Sequence, residues 1–214
     1  MRTQPYRDRD EAGDVLAEQL VAYADREDVV VLGLPRGGVP VAARIAARLH
    51  APLDALVVRK LGLPWQPELA MGAIAGVSDV VEVVRNQWVL RRTRVSAEEF
   101  DTVLRRETTE LRRREHLYRG DRPAVVIRER TVIVVDDGLA TGSTMRAAAA
   151  AVGQQFPNRV VIAVPIGSSD TCAELGADVD ELVCAWAPPR FYAVGQGYRD
   201  FSQVEDEEVT RLLR

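Results

Sequence analysis

Apolar residues change their period several times along the chain, and each change predicts a different element. From Glu11 onward, Ala12, Val15, Leu16, Leu20 and Tyr23 recur at helical spacing, which predicts an amphipathic helix ending before Val29. Residues 29–34 form an unbroken aliphatic run stopped by Pro35-Arg36-Gly37-Gly38. That is the pattern of a strand buried on both faces and closed by a tight turn. Val39, Ala42, Ala43, Ile45, Ala46 and Leu49 return to helical spacing. The alternation continues with strands predicted over 53–58, 131–135, 160–165 and 179–186, and helices over 143–152 and 170–175. Strands alternating with helices predict an α/β fold, a mostly parallel central sheet flanked by helices on both faces. Ligands of such sheets sit at the carboxyl ends of the strands.

Two stretches break the alternation. Residues 62–84 carry Pro64, Pro67, Gly72 and Gly76 before an apolar run at 80–84, which reads as a long loop, a candidate lid, followed by an edge strand or hairpin. Residues 96–118 open on Ser96-Ala97-Glu98-Glu99, a capping-box pattern, and keep Phe100, Val103, Leu104, Leu111 and Tyr118 on one helical face. The polar face holds Arg105, Arg106, Arg112, Arg113 and Arg114 interleaved with Glu107, Glu110 and Glu115. Paired charges of this kind fit a solvated helix better than a partner or phosphate site. No internal repeat or low-complexity segment is visible.

Composition narrows the ligand. With 214 residues and 47% hydrophobic content the chain can fill one well-packed core, so one elaborated domain over 1–214 is expected. A formal net charge of -4 speaks against a general nucleic-acid partner and for a small molecule. No apolar run approaches the roughly 20 residues that would span a bilayer. Residues 1–10 are dense in charge without an apolar centre, unlike a signal peptide; a cytoplasmic protein is expected. Cys172 and Cys184 have neither metal-site spacing nor the numbers of a disulfide framework, and read as buried structural thiols.

The chemistry concentrates in one block. Residues 132–144 read Val-Ile-Val-Val-Asp-Asp-Gly-Leu-Ala-Thr-Gly-Ser-Thr, a buried strand running into two acids and a small, hydroxyl-rich turn that opens a helix. A turn built from Ala140, Thr141, Gly142, Ser143 and Thr144 offers backbone N–H groups at a helix N-terminus, where the dipole favours an anion. Gly142 permits close approach, and the three hydroxyls add donors suited to a phosphate monoester. Asp136 and Asp137 would repel a second phosphate but accept hydrogen bonds from a ribose diol. A sugar with its own 5′-phosphate fits both halves. The patterns for nucleoside triphosphates (Gly-x-x-x-x-Gly-Lys-Ser/Thr) and dinucleotides (Gly-x-Gly-x-x-Gly) are absent. The alternative is an ordinary strand-to-helix turn with solvated acids.

This block resembles the phosphoribosyl pyrophosphate signature of type I phosphoribosyltransferases, and the other landmarks of that family follow in order over most of the chain. The chain as a whole is most similar to a widespread, poorly defined bacterial group of phosphoribosyltransferase-like proteins, in which the acceptor is not established. The resemblance implies a core over about 11–185, with a lid region at 61–84, an inserted helix at 96–118 and a small C-terminal hood at 186–214. It implies ribose binding by Asp136 and Asp137 and 5′-phosphate binding by 140–144. Pyrophosphate would be held by Arg36, Gly37 and Gly38, with a cis peptide between Pro35 and Arg36, and by Arg59-Lys60 at the end of the second strand. That basic pair is otherwise merely solvated. Lys60, like the two acids, would serve catalysis. Glu68, the only carboxylate of the loop 61–72, is either a proton-transfer group or a surface acid. Trp186, Phe191 and Tyr192 either offer a face to a nucleobase or close the core or a dimer interface. By the same resemblance, Ala140, where hypoxanthine and guanine members carry an acid, and Val164-Pro165-Ile166-Gly167, where they carry a lysine, count against a 6-oxopurine. The resemblance implies transfer from phosphoribosyl pyrophosphate to a nitrogen acceptor, with magnesium held through the substrate, by a homodimeric enzyme. The rival is a sensor of the same fold that binds without catalysis.

Overall fold

The computed structural model describes residues 4–214, so the first three positions of the charged N-terminal stretch lie outside it. The central sheet has five parallel strands in the order β2-β1-β6-β7-β8: β1 (Val29–Gly33), β2 (Leu53–Ala55), β6 (Thr131–Val135), β7 (Arg159–Ile166) and β8 (Glu181–Trp186). Every residue of β1 and β6 is buried, which is why both read as continuous apolar runs rather than as alternation. Helices α1 (Arg9–Gln19) and α2 (Gly38–Leu49) cover one face of this sheet. There Leu16, Leu20, Ile45 and Leu49 pack on Val29, Val31, Ile133 and Val161. Helix α5 (Ser143–Gly153) covers the other face, packing Met145, Ala148 and Val152 on Val30, Val132 and Ile162. Helix α6 (Ser169–Gly176) adds Leu175 to that layer.

The stretch expected as a long loop is instead sheet. Strands β3 (Val58–Leu63), β4 (Gln66–Val77) and β5 (Val80–Arg85) form a separate three-stranded antiparallel sheet. Pro67 lies near the start of β4, where no β5 residue pairs with it, so its missing N–H costs no ladder bond. A register shift at Leu61 and Gly62 absorbs the irregular sequence opposite it. The second predicted strand is correspondingly shorter than read: β2 ends at Ala55, and Arg59 and Lys60 belong to β3.

Helix α4 (Ala97–Arg119) starts as expected, on a capping box in which Ser96 Oγ accepts from Glu99 N and Glu99 accepts from Ser96 N. Its apolar face, Phe100, Val103, Leu111 and Tyr118, packs with Leu61, Met71 and Ile74 of the small sheet. The charged face is partly drawn inward. Glu107 and Glu115 are buried and answered by arginines, Arg59 and Arg106 on Glu107 and Arg112 on Glu115. Two further helices, α3 (Gln87–Thr93) and α7 (Asp206–Leu212), complete this half. Among the described residues no helix is long and apolar enough to cross a membrane.

Candidate functional site

Strands β1 and β6 are neighbours, paired up to Gly33 opposite Val135, and Leu34 N donates to Val135 O at 2.8 Å. Their carboxyl ends therefore deliver two loops side by side at the place where the strand order turns outward in both directions, the crevice in which such sheets bind ligands. The loop after β1 carries Pro35 to Gly38, with a cis peptide between Pro35 and Arg36. The loop after β6 carries Asp136, Asp137 and the turn 140–144.

The two loops touch through glycines. A Cβ on Gly38 would stand 2.6 Å from Val135 O and 2.8 Å from Asp136 Cα, and one on Gly37 would collide with the Asp137 carboxylate. Only residues without side chains let the loop of Arg36 lie against both acids. Arg36 itself reaches Glu205, ahead of α7, at 3.5 Å and remains about one-third exposed.

The acids are not ordinary surface carboxylates. Burial, reinforced by the neighbouring Asp137 charge, pushes the Asp136 carboxyl well above the usual carboxylate range. Its Oδ1 accepts from Asp137 N at 2.9 Å. Burial also raises Asp137, opposed by the charge and hydrogen bonds of Arg9. Arg9, on the first turn of α1, donates from Nε at 3.0 Å and Nη2 at 2.8 Å to Asp137 Oδ2. This residue lies in the stretch read only as dense charge, and its partner is far away in sequence, so no local pattern announces it.

The turn that follows has the form an anion site needs. Gly142 is the N-cap of α5, in the left-handed region at φ 70°, and no side chain caps the helix. The N–H groups of the first turn are thus left for a ligand or water. Thr141 and Ser143 are exposed, Thr144 is half-buried and Gly142 is buried. Behind the turn, Thr171 Oγ1 donates to Ala140 O at 2.8 Å. Leu175 and Thr171 crowd the space that a side chain on Gly142 would need. Residues 136–145 and Val194 line a concavity of about 230 Å³.

The predicted basic pair is divided by strand geometry, because successive side chains point to opposite faces. Arg59 turns to α4, donating to Glu107 Oε2 at 2.9 Å and 2.6 Å. Lys60, the single lysine of the chain, lines a groove of about 470 Å³ together with Thr141 and Ser143. The structure thus brings Lys60 beside the turn 140–144 and holds Arg59 toward α4. Glu68 is exposed on β4, near the hairpin tip. The hood aromatics divide as well. Trp186 and Phe191 pack against the cluster of Tyr6, Ile166 and Tyr198, whereas Tyr192 is 82% exposed. Cys172 and Cys184 are free thiols, half-buried rather than fully enclosed.

Known proteins resemble this chain over most of its length. The family model described as phosphoribosyl transferase domain matches residues 9–184. The protein named "Putative phosphoribosyl transferase Rv0571c" of Mycobacterium tuberculosis (strain ATCC 25618 / H37Rv) is 48% identical over 208 residues, 97% of this chain and 46% of that protein. The same figures hold for "Putative phosphoribosyl transferase MT0597" of strain CDC 1551 / Oshkosh. The chain therefore spans about half the length of the curated relatives it matches. Among solved structures, TT1426 from Thermus thermophilus superposes with a TM-score of 0.85 at 42% identity, covering 98% of both chains.

Proposed function

This chain belongs to the phosphoribosyl transferase domain family, and from that premise we propose that it transfers the ribose 5-phosphate unit of 5-phosphoribosyl 1-pyrophosphate to a nitrogen acceptor, releasing pyrophosphate. The observation that carries the reading is the packing of Gly37 and Gly38 against Asp137 and Asp136. It sets an arginine loop, two acids and the turn 140–144 around one crevice. In this reading the turn 140–144 takes the 5′-phosphate and the two acids take the ribose hydroxyls. As the bond to pyrophosphate breaks, the anomeric carbon gains oxocarbenium character, and the nearby carboxylates stabilise it electrostatically. Arg36, the Gly37 N–H and Lys60 meet the departing pyrophosphate, while the Gly38 N–H is held by Leu34 O at 3.0 Å. Arg59, engaged by Glu107, is left out of that set, and Glu68 remains a proton-transfer group only if the hairpin folds over the crevice.

Magnesium suits this site as an ion carried by the substrate. Asp137 Oδ2 is already taken by Arg9. Pyrophosphate and ribose oxygens supply the hard ligands the ion prefers, and when bound it would neutralise charge on the leaving group. The protein's own part is to orient that substrate. We further take the protein to be a cytoplasmic homodimer working on small molecules; its net charge of -4 supports a small ligand over nucleic acid.

A screen of nucleobases and related nitrogen compounds with donor and magnesium tests the reading through pyrophosphate release. One observation favours a second reading, a sensor that binds donor or nucleotide without transfer. Trp186 and Phe191 are half-buried against the cluster of Tyr6, Ile166 and Tyr198, which leaves less of each ring to stack on a base. Donor binding without pyrophosphate release across the whole acceptor panel would select the sensor.

A further inference from the structure

Arg9 is built into the site more firmly than an incidental ion pair would require. Its side chain is 12% exposed and that of Asp137 15%. Beyond its two bonds to Asp137 Oδ2, Nη1 donates to Ser202 O at 2.8 Å. Its guanidinium carbon lies 4.2 Å from the Phe201 ring centroid. Phe201 stacks in turn on Tyr198, at 5.0 Å between centroids, and Tyr198 Oη donates to Asp137 O at 2.5 Å. A planar, delocalised cation suits such a slot, where a stacked ring and a carbonyl replace its water.

Both side-chain bonds fall on one oxygen of Asp137. The carboxylate is thereby pinned against Gly37 by Oδ2, while the residue still lines the concavity of the phosphate turn. The groups around it are Asp136 on the same strand end, Arg9 from α1, Tyr198 from the hood and the loop of Arg36. Of these, Asp136 opposes its charge, and among the described residues Arg9 is the cation in contact with it. Resting on the reading of Asp137 as a sugar ligand, we infer that Arg9 is a positioning residue: it keeps Asp137 an anion and leaves Oδ1 to accept from a ribose hydroxyl. A carboxylate accepts such a bond more strongly than a neutral carboxyl does.

Calorimetric titration with ribose 5-phosphate tests this without turnover. Arg9→Met is expected to lose about tenfold in affinity near neutral pH, the scale of a hydrogen bond to a charged group. The loss shrinks as pH rises, because Asp137, no longer held ionised by a cation, gives up its proton only at higher pH. Arg9→Lys retains the wild-type pH profile. Arg9→Gln, neutral but still a donor, shows the same pH-dependent loss and serves if the Met variant fails to fold. In an Asp137→Asn background, removing Arg9 adds no further loss. Wild-type affinity in both neutral variants, or a loss equal at every pH, overturns the role of Arg9. Failure of the wild type itself to bind ribose 5-phosphate overturns the sugar site on which that role rests.

Discussion

Asp136 ends a fully buried strand, and its raised affinity for a proton has a consequence for stability as well as for binding. A carboxyl raised by folding holds its proton more tightly in the native state than in the unfolded one. It therefore destabilises the fold once pH exceeds the usual carboxylate range and ceases to do so below about pH 4. Asp136→Asn is expected to raise the melting temperature at neutral pH, with the gain fading toward pH 4, while ribose 5-phosphate binding is lost. Thermal melts at several pH values, set beside calorimetry, check both halves. Gly38 makes a second demand at this scale. A methyl there meets backbone, Val135 O at 2.6 Å and Asp136 Cα at 2.8 Å, which cannot turn aside as a side chain can. Gly38→Ala should cost about 1–3 kcal/mol in urea unfolding, together with weaker donor binding. The acids and glycines were legible in the sequence because they cluster within short loops at strand ends. Arg9 was not, since its meaning depends on a carboxylate 128 positions away.

At the scale of elements, legibility followed burial. The strands β1 and β6 declare themselves because every side chain is apolar or buried, and α4 because Ser96 and Glu99 cap it and its apolar residues fall on one face. Strand β4 hides behind Pro67, Gly72 and Gly76, residues that read locally as loop but here occupy an unpaired edge and close approaches to neighbouring chain. Helix α3 is short, with Val89 its only buried residue, too little for a period to show. What fastens α4 to the central sheet was equally invisible. Arg119, in its last turn, donates to Asp54 on β2 at 3.0 Å, with the two side chains 10% and 6% exposed. Asp54 also accepts from Val125 N and Ala55 N. Removing Asp54 leaves the buried Arg119 with only the longer contacts to Glu115 at 3.9 Å and Asp79 at 4.0 Å, so Asp54→Ala should cost about 3 kcal/mol. The midpoint of urea denaturation reads the loss directly.

The whole molecule joins two sheets of different character. The parallel sheet is sealed on both faces, whereas the hairpin of β3 and β4 ends in Trp65, 56% exposed at its tip. Hydrogen exchange should find the amides of β1, β6 and β7 slowest and those at the hairpin tip among the fastest. If the hairpin closes over bound donor, exchange at 61–66 slows when donor and magnesium are added; unchanged exchange there would remove the lid from the proposed function. The parallel architecture followed from the alternation of apolar periods, but the meeting of the two ends of the chain did not. Tyr6 N donates to Gly197 O at 2.7 Å, Arg199 N donates to Tyr6 O at 2.8 Å, and Arg9 reaches Ser202. These contacts close loops of nearly the full sequence length, the slowest kind to form. On a ribosome, α1 must therefore wait until residues 197–202 have emerged before Arg9 gains the carbonyl and ring that seat it. A nascent chain halted at 196 already contains both sheets yet lacks that seat, so the carboxylate proposed to bind sugar is positioned only after both sheets have been synthesised.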